Sequence, residues 1–263
     1  SGYIFTKQYE PQITSTKEYY FSLTQFVKKM PHNNFGKFAL FSALVSFAVA
    51  ISSPFFSVYM LKYLGFNYIE YTLVTLSSVI ISLLTMPFWG RFGDKYGNVQ
   101  MLKSTGRFIF IVPLLWILCP FLAEFNVWLM VLYLIFVEAF SGFVWAGFNL
   151  SSATFPLHAV TRERLAFCIA YINILSACGA FVGALLGGWL STISFLFAGL
   201  EALLFVFILS AALRFVVVYI FLSRIKEVRE VQPYKRKGPF KAIELFIRQH
   251  PMHAGIKRAG FPA

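Results

Sequence analysis

The chain has 263 residues, of which 58% are hydrophobic and only 13% are charged, and it carries a net charge of +12. This composition excludes an ordinary soluble domain, and the long apolar runs without period-two alternation favour membrane-spanning helices over a β-barrel. The basic residues collect outside the apolar runs, which indicates an anionic membrane surface rather than nucleic acid as their partner.

The first 35 residues are polar and aromatic, and residues 18–30 place aromatic and aliphatic side chains at roughly helical spacing between lysines. We expect residues 1–35 to be a cytoplasmic linker with an amphipathic helix that lies on the membrane surface. The alternative for this stretch is a loosely ordered basic tail.

Six apolar runs follow within residues 36–222, and each is long enough to cross a hydrocarbon core of about 30 Å. The predicted spans are 37–61, 68–89, 104–123, 127–150, 165–189 and 194–222. The connections on one side are very short, so neighbouring spans are expected to form antiparallel hairpins. The predicted fold class is therefore an all-α membrane protein with six transmembrane helices, and Pro54 predicts a kink in the first of them.

The lysines and arginines predict an orientation. If the spans alternate in direction, 21 of the 23 basic residues fall on one side, whereas Lys62 alone falls on the other. Arg214 is expected inside the last span, towards the basic side. By the positive-inside rule both termini are expected to be cytoplasmic. Residues 223–263 then form a basic cytoplasmic tail, in which 239–249 has the pattern of a second surface helix.

A short charged run joins the second and third predicted spans with the spacing G-x-x-x-D-K-x-G, and we expect it to be a tight, glycine-rich loop. Asp94 is expected to cap the amino end of an adjacent helix, which makes the loop a candidate conformational latch. The alternative is a tight turn that only satisfies the charge rule. The residues of the candidate latch are Gly90, Arg91, Gly93, Asp94, Lys95 and Gly97.

This spacing resembles the signature loop of the major facilitator superfamily, G-x-L-A-D-R-x-G-R-K, from which it departs at Phe92, Asn98 and Val99. The resemblance implies a transporter that works by alternating access, with twelve helices in two six-helix halves and the solute site between them. The six predicted spans then correspond to one half. The polar stretch before the first span and the basic tail after the last indicate the carboxyl-terminal half.

The resemblance also implies the partners of the chain. They are the lipid bilayer, a small-molecule substrate and the missing amino-terminal half of the same transporter, in a multi-pass protein of the plasma membrane. No cofactor, metal site or nucleic acid is expected. The three cysteines lack C-x-x-C spacing, so a disulfide framework or a zinc site is not predicted.

The fifth predicted span contains a row of small residues that predicts close helix packing. These residues are Gly179, Gly183, Gly187 and Gly188. The row resembles a second superfamily motif, G-x-x-x-G-P-x-x-G-G, with Ala184 in place of the proline. The proline form is associated with proton antiporters in the family, so the resemblance lends no support to an exporter.

Glu138 lies near the middle of the fourth predicted span, where a carboxylate is costly and marks a candidate functional residue. We predict that it couples proton movement to transport; the alternative is a glutamate that only packs and hydrogen-bonds. Ser141, Trp145 and Asn149 follow it at +3, +7 and +11, so the four residues form one stripe of the helix and a candidate cavity face. Further candidate cavity residues are Tyr171, Asn173 and Glu201.

The sequence therefore favours a secondary transporter for a small organic solute, with proton coupling as a symport. Two alternatives remain at this stage. A six-helix membrane enzyme would need paired acids, a nucleophile with its base or a buried histidine, and none of these is evident. A membrane scaffold of the same fold without transport activity is the other alternative.

Overall fold

The computed structural model describes residues 21–192 and 202–232, and these residues form helices and short connections without a strand. Within them, six helical segments are long and apolar enough to cross a membrane. We call them the first to the sixth span, and they are Asn34–Tyr63, Tyr68–Tyr96, Asn98–Phe125, Val127–Ala159, Arg162–Thr192 and Leu203–Arg224. The predicted all-α fold class and the six spans are confirmed.

Several spans are longer than hydropathy predicts. The second continues to Tyr96 instead of ending near residue 89, the third begins at Asn98 instead of residue 104, and the fourth continues to Ala159. Charged and polar residues can continue a helix beyond the hydrocarbon core, where hydropathy no longer marks its end. The predicted beginning of the sixth span and the surface helix at 239–249 lie outside the described residues.

The first span is interrupted at Pro54, as predicted. It consists of an α-helix over Asn34–Ala50, a second over Ser53–Val58 and a π-helical turn over Tyr59–Tyr63. Proline lacks the N–H that would bond to the carbonyl four residues earlier, so an α-helix cannot continue through it unchanged.

The third span is interrupted in the same way. Its segments are Asn98–Ile109, Ile111–Leu115, a 3₁₀ turn over Trp116–Leu118 and Cys119–Phe125. Pro113 and Pro120 lie in the second and fourth of these segments. The first and third spans are therefore both interrupted near a proline, and both contact the sixth span.

The first and fourth spans lie at the centre of the bundle. The second span packs along the fourth, the fifth along the first, and the sixth contacts the first and the third. Only 11% of the most apolar part of the second span and 6% of that of the fifth are buried, against 28% to 50% in the other four. The second and fifth spans thus present the largest uncovered apolar surfaces.

A short helix precedes the first span. Leu23–Lys29 begins at Ser22, whose hydroxyl accepts a hydrogen bond from the Gln25 N–H. Phe26 is buried against the bundle, while Lys29 is exposed. This helix covers part of the predicted stretch 18–30, and its Phe26 side contacts protein, while a place on the membrane surface stays a prediction.

Candidate functional site

A cavity of about 370 Å³ opens between the first, fourth and fifth spans. Each span contributes two polar residues that are three or four positions apart, so each pair lies one turn apart on one helix face. The polar lining consists of Ser42, Ser46, Asn149, Ser152, Asn173 and Ser176. The apolar lining consists of Phe38, Val45, Val49, Trp145, Phe148, Ala153 and Ile172. None of these lining residues is charged, so the cavity offers hydroxyl groups, amides and aromatic rings.

Three of the predicted cavity residues, Trp145, Asn149 and Asn173, line this cavity. Ser141 and Tyr171 are not among its lining residues. Ser141 is buried, and the Tyr171 hydroxyl donates a hydrogen bond to the Phe21 carbonyl. Tyr171 therefore anchors the segment before the first span. Glu201 lies outside the described residues.

Glu138 also lies away from the cavity lining, at the crossing of the second and fourth spans. Its carboxyl group lies beside the Ser78 side chain of the second span. One turn further along, a Cβ on Gly142 would collide with the Ser78 carbonyl oxygen, so the two backbones are in close contact. No ion pair to Glu138 is present among the described residues. Glu138 thus lies at a tight helix crossing, next to a hydroxyl group.

The fifth span packs on the first through three of its glycines. A Cβ on Gly179, Gly183 or Gly187 would collide with a backbone carbonyl of the first span, and the facing residues are Ala43, Phe47 and Ile51 respectively. Both series advance by four residues, so the two helices stay in contact over three turns.

Gly188 does not take part in this packing. No heavy atom of the described chain lies within 4 Å of the position that its Cβ would occupy. Neighbouring residues of an α-helix point about 100° apart, so Gly187 and Gly188 cannot face the same partner helix. The described residues offer Gly188 no packing partner, so its packing role stays a prediction.

The charged run between the second and third spans is helical almost throughout. Residues from Gly90 to Tyr96 belong to the second span, and the third span begins at Asn98. Only Gly97 separates the two helices, and its φ of +90° is accessible to glycine at little cost. The expectation of a glycine-rich loop is therefore wrong, because one left-handed residue is enough to turn the chain.

Glu227, not Asp94, caps the helix that follows. Its Oε2 accepts a hydrogen bond of 2.8 Å from the Val99 N–H, in the first turn of the third span. It also lies against Gly97, where a Cβ would collide with the carboxylate. A carboxylate in this place satisfies an unpaired helix N–H and is attracted by the positive end of the helix dipole.

Residues 225–232, which we call the strap, connect three spans beside Glu227. The Asn34 side chain forms two hydrogen bonds with the Lys226 backbone, of 2.7 and 2.8 Å, at the start of the first span. The Gln232 N–H donates to the Lys95 carbonyl at 3.3 Å, at the end of the second span. The strap thus ties the beginnings of the first and third spans to the end of the second.

The charged side chains of the predicted latch lie at the surface of the protein. Asp94 is 82% exposed and lies 3.9 Å from the Arg229 guanidinium of the strap. The Lys95 ammonium lies over the Tyr96 ring, 5.3 Å from its centre. Arg91 is exposed. The described partner of Asp94 is therefore the strap rather than a helix amino end.

The comparisons with known proteins identify the family. Residues 38–256 match the sequence profile of the Major Facilitator Superfamily. The chain belongs to the major facilitator superfamily. It is also similar to the multidrug resistance protein MdtG of Dickeya zeae (strain Ech586), with 28% identity over 212 residues, which make up 78% of this chain and 47% of that protein. The chain thus spans about half the length of this curated relative. No solved structure matches it.

Superfamily membership makes this chain part of a multi-pass membrane transporter family, and it removes the membrane-enzyme alternative. Asn98 departs from the superfamily loop, which often has a basic residue at this position. Asn98 is buried, and its side-chain oxygen accepts a hydrogen bond of 3.0 Å from the Thr154 hydroxyl of the fourth span. This departure from the superfamily pattern therefore joins the junction to the fourth span.

Sequence reasoning missed four cavity serines and Glu227. Ser152 continues the predicted stripe one turn beyond Asn149, and Ser42 and Ser46 share a face at i and i+4, so helical spacing contained a signal for these three. Glu227 contacts a residue 128 positions away. No local pattern predicts such a contact.

Replacement of Glu227 by Gln tests the helix cap in this superfamily member. We expect the melting temperature of the purified protein to fall by a few degrees, because a cap contributes about 1 kcal/mol and an amide carries no charge for the helix dipole. Asp94→Asn should leave the melting temperature unchanged, since exposed ion pairs contribute about 0–1 kcal/mol. Equal losses in the two variants would contradict the assignment of the cap to Glu227.

Proposed function

We propose that the natural protein is a secondary transporter that carries a small, uncharged, amphiphilic organic solute by alternating access. The cavity between the first, fourth and fifth spans is the observation that carries this proposal. Its lining combines aromatic rings with hydroxyl and amide groups and contains no charge. Such a lining suits a solute with an apolar body and a few hydrogen-bonding groups.

The name of the MdtG relative supports the same solute class. That protein is described as a multidrug resistance protein, which associates it with organic drug molecules. Organic drug molecules suit an uncharged cavity lined by aromatic rings better than strongly ionic solutes do. At 28% identity it suggests the chemical class and no particular compound.

A second six-helix half completes the cavity in this proposal. The chain covers 47% of the relative, and its second and fifth spans have the least buried apolar surfaces. The missing amino-terminal half of the same transporter is the partner that would cover those surfaces, and residues 36–222 would be the carboxyl-terminal half. The bias of basic residues supports cytoplasmic termini and a plasma-membrane location.

Glu138 is the proposed proton-coupling residue. It lies beside Ser78 inside the membrane-spanning bundle, without an ion-pair partner among the described residues. A carboxyl group in such surroundings can bind and release a proton when the crossing helices change their contact. Its place on the helix of Asn149 would transmit that change to the cavity.

A further proposal concerns the charged run at the junction of the second and third spans. We propose that Gly90, Arg91, Gly93, Asp94, Lys95 and Gly97 act as a conformational latch with the strap. The exposed pair of Asp94 and Arg229 is easily broken, as a latch requires. Asp94→Asn should therefore slow transport while the melting temperature is kept. A natural transport rate in that variant would contradict the latch.

Reconstitution of the intact natural protein tests the transport proposal. We expect proteoliposomes to move Nile red, an uncharged amphiphilic dye, at a rate above that of protein-free vesicles. Transport of the dye should be accompanied by proton movement, which pyranine inside the vesicles reports as a change of internal pH. Binding of the dye without any flux would instead support a scaffold of the same fold.

Glu138→Gln separates coupling from solute movement. Glutamine keeps the size and the hydrogen-bonding capacity of the side chain but cannot ionise, so we expect dye-dependent proton movement to disappear while dye exchange at equal pH persists. Glu70→Gln is the matched control, because Glu70 caps the start of the second span and glutamine serves equally in a capping box. Undiminished proton movement in Glu138→Gln would rule out the coupling role.

A further inference from the structure

Arg214 of the sixth span is a buried cation that the proposed transport mechanism does not yet use. It is 2% exposed, and it forms no ion pair in the part of the chain that the structure describes. Its hydrogen-bond partners Ser52 and Ile109 lie near the middle of the first and third spans. A buried charge without a counterion is costly, so its polar partners need an explanation.

The first partner is a carbonyl released by a proline. Pro113 has no N–H to donate to the Ile109 carbonyl, four residues earlier in the third span. An Arg214 guanidinium N–H donates to that carbonyl at 3.3 Å. The arginine thus replaces the backbone hydrogen bond that the third span loses at its break.

The remaining partners lie at the break of the first span. A second guanidinium nitrogen donates to the Ser52 hydroxyl at 2.8 Å and to the Val49 carbonyl at 3.5 Å. Ser210, one turn before Arg214, accepts a hydrogen bond from Ser52 at 3.0 Å and donates to the Ala48 carbonyl at 2.6 Å. The sixth span therefore supplies donors to both proline breaks.

The chemistry of arginine suits this position. A guanidinium presents several N–H donors in a planar fork, whereas lysine carries a single ammonium group. The Nε of Arg214 has no hydrogen-bond partner among the described residues. A buried N–H without a hydrogen-bond partner is destabilising. This cost favours a different arrangement of the cluster, in which the Nε–H is hydrogen-bonded.

The part of the cavity wall that the first span forms ends at the break in that span. Val45, Ser46 and Val49 line the cavity, and the Val49 carbonyl contacts Arg214. We infer that Arg214 is a positioning residue for transport, which sets the angle of the first span at its break and thereby the width of the solute cavity. This inference rests on the proposed function, because it takes the cavity as the path of the solute.

Alkylation of single cysteines tests the inference without a transport assay. The intact protein, with its natural cysteines replaced by alanine, carries Ser46→Cys in the first span or Ser152→Cys in the fourth. Both positions line the cavity, but only the first belongs to the helix that Arg214 holds. A water-soluble maleimide measures the rate at each position.

Arg214→Gln should change the alkylation rate at Ser46→Cys by roughly tenfold, because hydrogen bonds to a charged group contribute about 1.5–3 kcal/mol. The rate at Ser152→Cys should stay within about twofold, and Arg214→Lys should give an intermediate rate at Ser46→Cys. Equal changes at both positions, or none at either, would overturn the inference. If Arg214→Gln does not fold, Ser210→Ala decides by the same ratio, since it removes two hydrogen bonds of the cluster and keeps the charge.

The same measurement separates this inference from the proposed function. If neither cysteine reacts in the protein with Arg214 intact, the cavity is closed to water, and the proposed solute path fails together with the positioning role. If both react but their ratio is insensitive to Arg214 and Ser210, only the positioning role fails.

Discussion

Addition of one methyl group at Gly183 is expected to lower the free energy of unfolding by about 1–3 kcal/mol, which is the usual range for an overpacked contact. The Cβ would meet the Phe47 carbonyl, and a backbone atom cannot rotate away as a side chain can. The first and fifth spans would have to separate over the turns that contain Gly179 and Gly187. Thermal unfolding of purified Gly183→Ala in detergent, measured by scanning fluorimetry, gives the loss.

Gly188→Ala is the matched control for this prediction. It makes the same chemical change five residues further along the same helix, at a position whose Cβ would meet no described atom within 4 Å. Alanine is favoured over glycine in a helix by about 1 kcal/mol, so the control should be neutral or slightly stabilised. A comparable loss in both variants would show that the glycines are not the contact that holds the fifth span to the first.

The glycine row shows what helical periodicity can predict. A spacing of four residues indicated a packed face, and Gly179, Gly183 and Gly187 form it. Gly188 directly follows Gly187, and a helix turns by about 100° per residue, so these two neighbours do not face the same partner helix.

The junction of the second and third spans shows what local sequence cannot predict. Glycines and charges favoured a loop, but Gly90 and Gly93 are helical and Gly97 alone turns the chain. The helix cap comes from Glu227, 128 residues beyond Val99. Long-range contacts of this kind depend on how the spans are arranged, and composition and spacing do not contain that arrangement.

The partners of Arg214 and Glu138 likewise could not be predicted from the local sequence. The sequence placed both residues inside spans, yet it gave no partner for either. Ser52 and Ile109 lie 162 and 105 positions from Arg214, and Ser78 comes from a different span than Glu138. Trp145 and Asn149 line the cavity because they lie one turn apart on one face of the fourth span, and Asn173 lines it from the fifth span. Tyr171 does not, since it is two residues from Asn173 and points to another side of its helix.

The second large effect is expected at the cavity itself. Asn149 and Asn173 come from different spans and offer amide donors and acceptors to a solute in the cavity. Leucine has nearly the same size as asparagine but forms no side-chain hydrogen bond. Loss of one hydrogen bond costs about 1 kcal/mol or somewhat more, so the double variant Asn149→Leu with Asn173→Leu should reduce Nile red flux by roughly 30- to 100-fold at low dye concentration.

Thr72→Val is the control for this double variant. Thr72 is exposed on the second span, away from the cavity, and its hydroxyl donates to the Tyr68 carbonyl of its own helix at 2.6 Å. The change is isosteric and also removes one hydroxyl group from a membrane span. We expect both the flux and the melting temperature of this variant to equal those of the natural protein.

The flux of Nile red through proteoliposomes that contain equal amounts of folded natural protein, double variant and Thr72→Val tests most directly whether this cavity is the solute path. The account predicts that the natural protein and Thr72→Val move the dye at one rate, while the double variant loses most of that flux and keeps its melting temperature. Equal flux in all three proteins would contradict it, because the solute would then cross the protein without using the polar groups of the first, fourth and fifth spans.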